Sequence, residues 1–287
     1  MKQLFSLLIL GFCLASCEKP ILSDEETFEP EGNVTLRFTS YTQQSFTRAA
    51  ISECFSKLNM MLFDENNEKV FSQIKTQNVD DSNFGTFSFN LSAGTYKVVA
   101  IGHSSSKSCS ITSLEKVTFT AVDGRKNTDT FYYYGTIEVS EEPQTYNNQM
   151  VRGTAMFRLV LTDENMPEAV KKLQIKYTGG SADINPVTGL GCTNSTQNES
   201  REVSSDNIYE VYTFPKATTG KLKVTVSALD ANGDVLKQRV FEDVPVTANV
   251  ITQYKGQFFD SSDGTITSSS IGFTADPTWQ QTNEYTF

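Results

Sequence analysis

Thr86-Phe87-Ser88-Phe89-Asn90-Leu91, followed two residues later by Gly94-Thr95-Tyr96-Lys97-Val98-Val99-Ala100, decides the fold class. Phe87, Phe89 and Leu91 alternate with Thr86, Ser88 and Asn90. After the Ala93-Gly94 turn signal, Tyr96, Val98 and Ala100 resume the alternation. A strand sends successive side chains to opposite faces, so a period of two describes strands with one buried face. Two such runs joined by a short glycine-containing turn read as neighbouring antiparallel strands.

The same grammar runs outward in both directions. Upstream, Val34-Leu36-Phe38 and Leu58-Met60-Leu62 alternate, and Val70, Phe71 and Ile74 mark a short run. Downstream come Val117-Phe119-Ala121 and the aromatic run Phe131-Tyr132-Tyr133-Tyr134, which leads into Ile137-Val139. Asp64-Glu65-Asn66-Asn67 and Asp123-Gly124 supply turns between them. About seven strands are expected between residues 32 and 140. Glu141-Glu142-Pro143-Gln144 is a polar break, and a domain boundary is expected near residue 150.

Beyond it Ala155-Phe157-Leu159-Leu161, Leu173-Ile175-Tyr177, Tyr209-Val211-Thr213 and Leu222-Val224-Val226-Ala228 alternate again. Two further runs cover residues 235–241 and 250–258. Residues 163–170 suggest a helical turn capped by Asp163. Residues 179–207, rich in Gly, Ser, Thr and Asn, read as a long surface loop with one short strand. The halves echo each other: residues 94–100 resemble residues 220–226, and Asp64-Glu65-Asn66-Asn67 resembles Asp230-Ala231-Asn232-Gly233. The fold class is therefore all-β, with two tandem Ig-like β-sandwich domains at residues 31–150 and 151–259. The tail, residues 260–287, carries Phe273, Trp279, Tyr285 and Phe287, and its aromatics favour docking onto a domain.

The N-terminus gives an address. Met1-Lys2-Gln3 is a charged start, residues 4–12 are mostly apolar, and Leu14-Ala15-Ser16-Cys17 follows. This is the pattern of a secretory signal peptide, residues 1–16, and the apolar run is shorter than the roughly 20 residues a spanning helix needs. Small residues before a cysteine match a lipobox, with cleavage between Ser16 and Cys17 and a lipid on the Cys17 thiol. Several acyl chains on one cysteine hold a protein firmly to a membrane. Residues 17–30 are polar and acidic, as in Glu18 and Asp24-Glu25-Glu26, and read as a flexible leash. An acidic cluster after the lipidated cysteine suits either a plain linker or a signal for export to the outer face of the outer membrane.

Losing residues 1–16 removes only Lys2, so the net charge moves from −10 to −11. Such a chain repels phosphate backbones, so no nucleic-acid partner is expected. Cys54, Cys109 and Cys192 remain after Cys13 leaves and Cys17 is lipidated. A Cys54–Cys109 disulfide and three free thiols are both open readings.

Catalytic signals are weak. His103 is the only histidine, in Ile101-Gly102-His103-Ser104, without a nucleophile elbow. No cysteine or carboxylate spacing around it suits a metal, and no P-loop or dinucleotide fingerprint exists, so no cofactor is expected. Asp80-Asp81 and Glu141-Glu142 read as solvated turns. Asp230-Ala231-Asn232-Gly233-Asp234 has a calcium-loop flavour without the closing Glu. Phe131-Tyr132-Tyr133-Tyr134 and Trp279 are the candidates for stacking a sugar.

Taken in order, the lipobox, Lys57-Leu58-Asn59-Met60-Met61-Leu62-Phe63-Asp64, residues 94–103, Arg152-Gly153-Thr154-Ala155-Met156-Phe157-Arg158-Leu159 and residues 224–230 resemble the FimB-type family of fimbrial subunits from Bacteroidales. The resemblance covers nearly the whole mature chain. It implies two tandem transthyretin-like β-sandwiches at the base of a fimbria, held at the outer membrane by lipid. It also implies partnership with the shaft pilin and other fimbrial subunits, and joining by β-strand complementation. Related shaft subunits are matured by cleavage after an arginine; Arg48-Ala49-Ala50 is such a site or an ordinary loop arginine. The expected function is a non-enzymatic fimbrial anchor or accessory subunit. The rival is a surface glycan-binding lipoprotein of a polysaccharide-uptake system.

Overall fold

The structure, a computed structural model, describes residues 32–40, 51–259, 265–266, 272–273 and 279–287. Ser16, Cys17 and Arg48 lie outside the described residues.

The first half contributes β1 (Val34–Ser40), β2 (Lys57–Phe63), β3 (Lys75–Asn78), β4 (Thr86–Phe89), β5 (Gly94–His103), β6 (Ser110–Ser113), β7 (Lys116–Thr118), β8 (Thr130–Val139) and β9 (Gln144–Arg152). The second contributes β10 (Ala155–Leu161), β11 (Lys172–Thr178), β12 (Ile184–Asn185), β13 (Leu190–Gly191), β14 (Gln197–Glu202), β15 (Ile208–Thr213), β16 (Gly220–Leu229), β17 (Val235–Val246) and β18 (Val250–Gly256). The tail contributes β19 (Thr265–Ile266), β20 (Gly272–Phe273) and β21 (Gln281–Thr286). The architecture is all-β, with sheets packed as in a sandwich.

The two halves repeat one topology. In the first, β3-β2-β5-β8 form one layer and β9-β1-β4 the other, joined where β8 meets β9. In the second, β14-β11-β16-β17 and β18-β10-β15 occupy the same places. The pairing senses match too. β1 runs parallel to β9 as β10 does to β18, and antiparallel to β4 as β10 does to β15. Gly94 and Gly220, matched in sequence, open the equivalent strands β5 and β16. The Asp64 and Asp230 turns are not equivalent, since one follows β2 and the other β16. They are one local solution used twice: each aspartate Oδ1 accepts the N–H groups two and four residues on.

Each repeat has its own core. Leu58, Met60, Leu62, Val98 and Ala100 face Val34, Leu36 and Phe38 in the first. Phe157, Leu159, Val224, Val226, Phe241 and Tyr254 form the second. β2 and β5 are buried on both faces. Met61, Phe63, Val99 and Ile101 point the other way, into a third cluster covered by Ile111, Val117, Phe119 and, from the second repeat, Ile184 and Phe214. That double burial explains why Met60-Met61-Leu62-Phe63 is continuously apolar.

Two sequence expectations need correction, and one reading left open is decided. Residues 163–170 close a single turn, Val170 N–H on the Pro167 carbonyl at 2.9 Å, but Asp163 does not cap it and instead accepts the N–H groups of Phe258 and Phe259 at 2.7 Å each, holding the end of β18. Residues 179–207 are not a surface loop: they hold β12, β13 and β14, and Ser181, Ala182, Asp183 and Ile184 are buried. β12 pairs with β7 at Ile184 and Val117, so a four-stranded sheet, β13-β12-β7-β6, is shared between the repeats. The Cys54–Cys109 bridge does not form, and Cys54, Cys109 and Cys192 are free thiols. Cys54 packs on the core inside the first sandwich and Cys109 lies in the third cluster, with the β2–β5 sheet between them.

Candidate functional site

The residues with the richest polar contacts collect where the repeats and the tail meet. Arg152 ends β9. Its guanidinium donates to both carboxylate oxygens of Asp129, at 2.8–3.1 Å, and to Asn249 Oδ1 at 2.8 Å. It is also held between two rings, 4.6 Å from the Phe131 centroid and 4.0 Å from that of Trp279. One side chain therefore touches the first repeat, the turn before β18 and the tail. Burial pushes the Asp129 carboxyl above its usual range, against the pull of Arg152.

The tail is built into the second repeat. β21 runs parallel to β18 over six residue pairs, from Val250–Gln281 to Lys255–Thr286. Tyr285 stacks on Tyr254 at 4.9 Å, and Trp279 packs with Met156 and Ile251. β19 lies parallel to β17 at Val240 and Phe241.

A cleft of about 940 Å³ opens between the repeats. Its charges are largely neutralised in place: Arg158 pairs with Glu210 at 2.7 Å, Arg201 with Glu199 at 2.5 Å, and Arg152 with Asp129. Glu202, on its rim, pairs with Lys172. Asp206, also lining the cleft, accepts from Ser204 Oγ and from Ile208 N–H.

On one side, both sandwiches close their sheet edges with side chains. Phe38 N–H takes the Gly85 carbonyl, so the Thr86 carbonyl faces outward, where Gln77 Nε2 donates to it at 2.8 Å. Gln77 Oε1 accepts Gly85 N–H in return. In the second repeat Leu161 N–H takes the Asn207 carbonyl, turning the Glu210 and Tyr212 carbonyls outward. Arg201 caps the first at 3.0 Å and the Tyr177 hydroxyl the second at 2.7 Å. Neither β4 nor β15 offers these acceptors to another chain.

The sequence-selected residues are mostly structural. His103 is fully buried; Nε2 lies 2.8 Å from Asn59 Oδ1, and Phe119 meets the ring edge-on. Burial, helped by Lys57, lowers its pKa to about 4. It holds Asn59 in place, and Asn59 Oδ1 also accepts from Cys109 N–H. Phe131 is core, and Tyr133 packs on Phe38 at 5.8 Å. Trp279 is 4% exposed, between Arg152 and Tyr212. Trp279 and Phe131 are thus buried, while Tyr132, Tyr133 and Tyr134 are half-buried, packed against the first and third clusters. Asp230 spends its Oδ1 on its own turn. Among the described residues no group of three metal-ligating side chains forms, and no helix is long and apolar enough to cross a membrane.

Arg152, Asp129, Asn249 and Gln77 were not selected from sequence for any role. Their partners lie 8 to 97 residues away, and no local pattern announces them.

No curated protein matches the chain. Among solved structures, it is similar to a putative polysaccharide binding protein from Bacteroides thetaiotaomicron, at 12% identity and TM-score 0.50, covering 72% of this chain and 80% of that one. It is similar to a putative adhesin from Bacteroides ovatus, at 15% identity and TM-score 0.50, covering 71% and 74%. The fimbrial anchor protein Mfa2 from Porphyromonas gingivalis aligns at 13% identity and TM-score 0.42, covering 72% and 81%. At these identities the first two likenesses speak to fold alone. The sequence itself decides the family: the model for fimbrillin-A associated anchor proteins Mfa1 and Mfa2 matches residues 22–280. Nearly all of the chain after its N-terminal segment fits that model, and the protein belongs to the fimbrillin-A associated anchor family.

Proposed function

We propose that this chain is the lipid-held base of a fimbria at the outer membrane, fixed through Cys17 and joined to the shaft by β-strand addition. The observation that carries the reading is the family match over residues 22–280. The lipobox at Leu14-Ala15-Ser16-Cys17 supplies the anchor that the family's role requires.

The placement of β1 suits the role. It follows the leash and sits between β4 and β9, with Val34 and Leu36 fully buried and Phe38 at 4% exposure. A pull on the lipid enters the protein through a strand hydrogen-bonded on both sides. Cleavage after Arg48 would cut that strand's chain connection to β2 and sever the remaining domain from its lipid. We therefore read Arg48 as uncut here. The two repeats are read as the two sandwich domains, residues 31–150 and 151–259.

The test is a Cys17→Ala variant in the native bacterium, paired with metabolic labelling by a fatty-acid analogue. The wild type takes up label and retains fimbriae on cells. The variant keeps its fold, loses label and releases fimbriae into the medium. Fimbriae that stay cell-bound on the unlabelled variant would sink the anchor reading.

A further inference from the structure

The internal repeat gives a position-by-position comparison of sheet edges. β8 and β9 of the first repeat correspond to β17 and β18 of the second. In the second, the tail meets both of these edges: β21 lies parallel to β18 along six residue pairs, and β19 lies against β17. In the first, among the described residues, β9 is met on that side only at its far end, where Val151 pairs with Tyr132 and Arg152 with Phe131. The strands part toward the turn, bridged there by the Tyr146 hydroxyl, which donates to the Glu138 carbonyl.

We propose that the outer edge of β9, residues 144–150, is where a fimbrial partner adds a strand running parallel to β9, in the place β21 takes on β18. This rests on the strand-addition reading above and assigns it a surface. The hydrogen-bonding groups are identifiable. Gln144 N–H donates to the Asn33 carbonyl at 2.8 Å, toward β1. Backbone groups alternate sides along a strand, so Thr145, Asn147 and Gln149 direct their N–H and C=O groups to the open side. Their side chains are exposed, while Asn148 and Met150 point into the sandwich.

Among the described residues this edge also lacks protection. Edges are usually blunted by charge, proline, a bulge or a cover. Residues 144–151 contain no charged residue and no proline, and the β1–β9 register runs without a shift. Three other edges carry such devices: Gln77 caps the Thr86 carbonyl of β4, Arg201 and Tyr177 cap β15, and β17 carries Pro245 beside Asp243 at φ 55°. The occupant that fits is an extended, mostly uncharged segment of another fimbrial subunit. β21 itself, Gln281-Thr282-Asn283-Glu284-Tyr285-Thr286, shows the chemistry: a polar strand with Thr282 and Tyr285 buried on opposite faces.

The experiment uses full-length protein in fimbriated cells. Asn147→Pro and Gln149→Pro each remove one outward N–H and place a ring in the path of an added strand; Asn147→Ala changes only the side chain. Shaft co-isolated with each proline variant should fall about tenfold or more, and Asn147→Ala should match wild type. Wild-type shaft levels on both proline variants would overturn the assignment and leave the anchor reading standing. Absence of any shaft on the wild type would overturn both. If the proline variants melt early, Asn147→Cys decides, with exposed Cys192 as the internal reference. Its thiol should resist maleimide in fimbriated cells and react in the purified chain. Equal reactivity in both would refute the proposal.

Discussion

Arg152 has a side-chain exposure of 7%, and Asp129 one of 22%, so their pair is largely out of water. Removing one partner of such a pair leaves the other charge uncompensated, which costs about 3–5 kcal/mol. Arg152→Ala should destabilise the protein by about that much in denaturant titrations, and the loss of the Trp279 ring contact adds to it. Arg152→Lys keeps the charge but not the planar fork, so it should recover only part. His103 gives a second residue-scale prediction. Its folded pKa of about 4 lies below the ordinary value of 6.5. The unfolded chain therefore binds the proton more readily, and stability must fall as pH drops from about 6.5 to about 4. The contribution is at most about 3 kcal/mol. Asp129 and Glu199, both shifted upward by burial, act in the opposite sense, so the informative quantity is a difference. A His103→Gln variant should show a flatter loss of stability over that window than wild type. Equal slopes would contradict the assignment.

At the scale of elements, the sequence was legible where one face is apolar. β1, β10 and β11 announce themselves by alternation, with apolar core residues at every second position, and β2, β5 and β16 show the same period on their core face although much of each strand is buried on both sides. β9 and β14 do not. Gln144-Thr145-Tyr146-Asn147-Asn148-Gln149-Met150 buries only Asn148 and Met150, and β14 buries only Glu199, so periodicity in apolar residues has nothing to register. The candidate strand-addition edge was thus hidden between the polar break at residues 141–144 and the boundary expected near residue 150. β21 is similar: two of its six residues, Thr282 and Tyr285, are buried. Tyr285→Ala removes the stack on Tyr254 and should cost about 2–4 kcal/mol. The loss should be local first. Hydrogen exchange at the β18 amides should quicken while those of β2 and β5 keep their protection.

For the whole molecule the question is what makes two repeats unfold together. Each has its own core, so separate transitions would be the default for tandem units. The junction argues otherwise. Phe214, fully buried, stacks on Phe119 at 5.5 Å and closes the third cluster from the second repeat. Ile184 pairs with Val117 across the shared sheet, and Arg152 ties Asn249 to Asp129. Phe214→Ala should create a cavity costing about 3–5 kcal/mol, since neighbours anchored in two sheets cannot collapse into it. That cost falls on the coupling between the repeats more than on either core. The wild type should therefore melt in one calorimetric transition and Phe214→Ala in two, with the first repeat, whose β2–β5 outer face loses its cover, unfolding first. A single transition merely shifted to lower temperature in the variant would mean that the shared sheet and Arg152 suffice to couple the repeats without the aromatic stack.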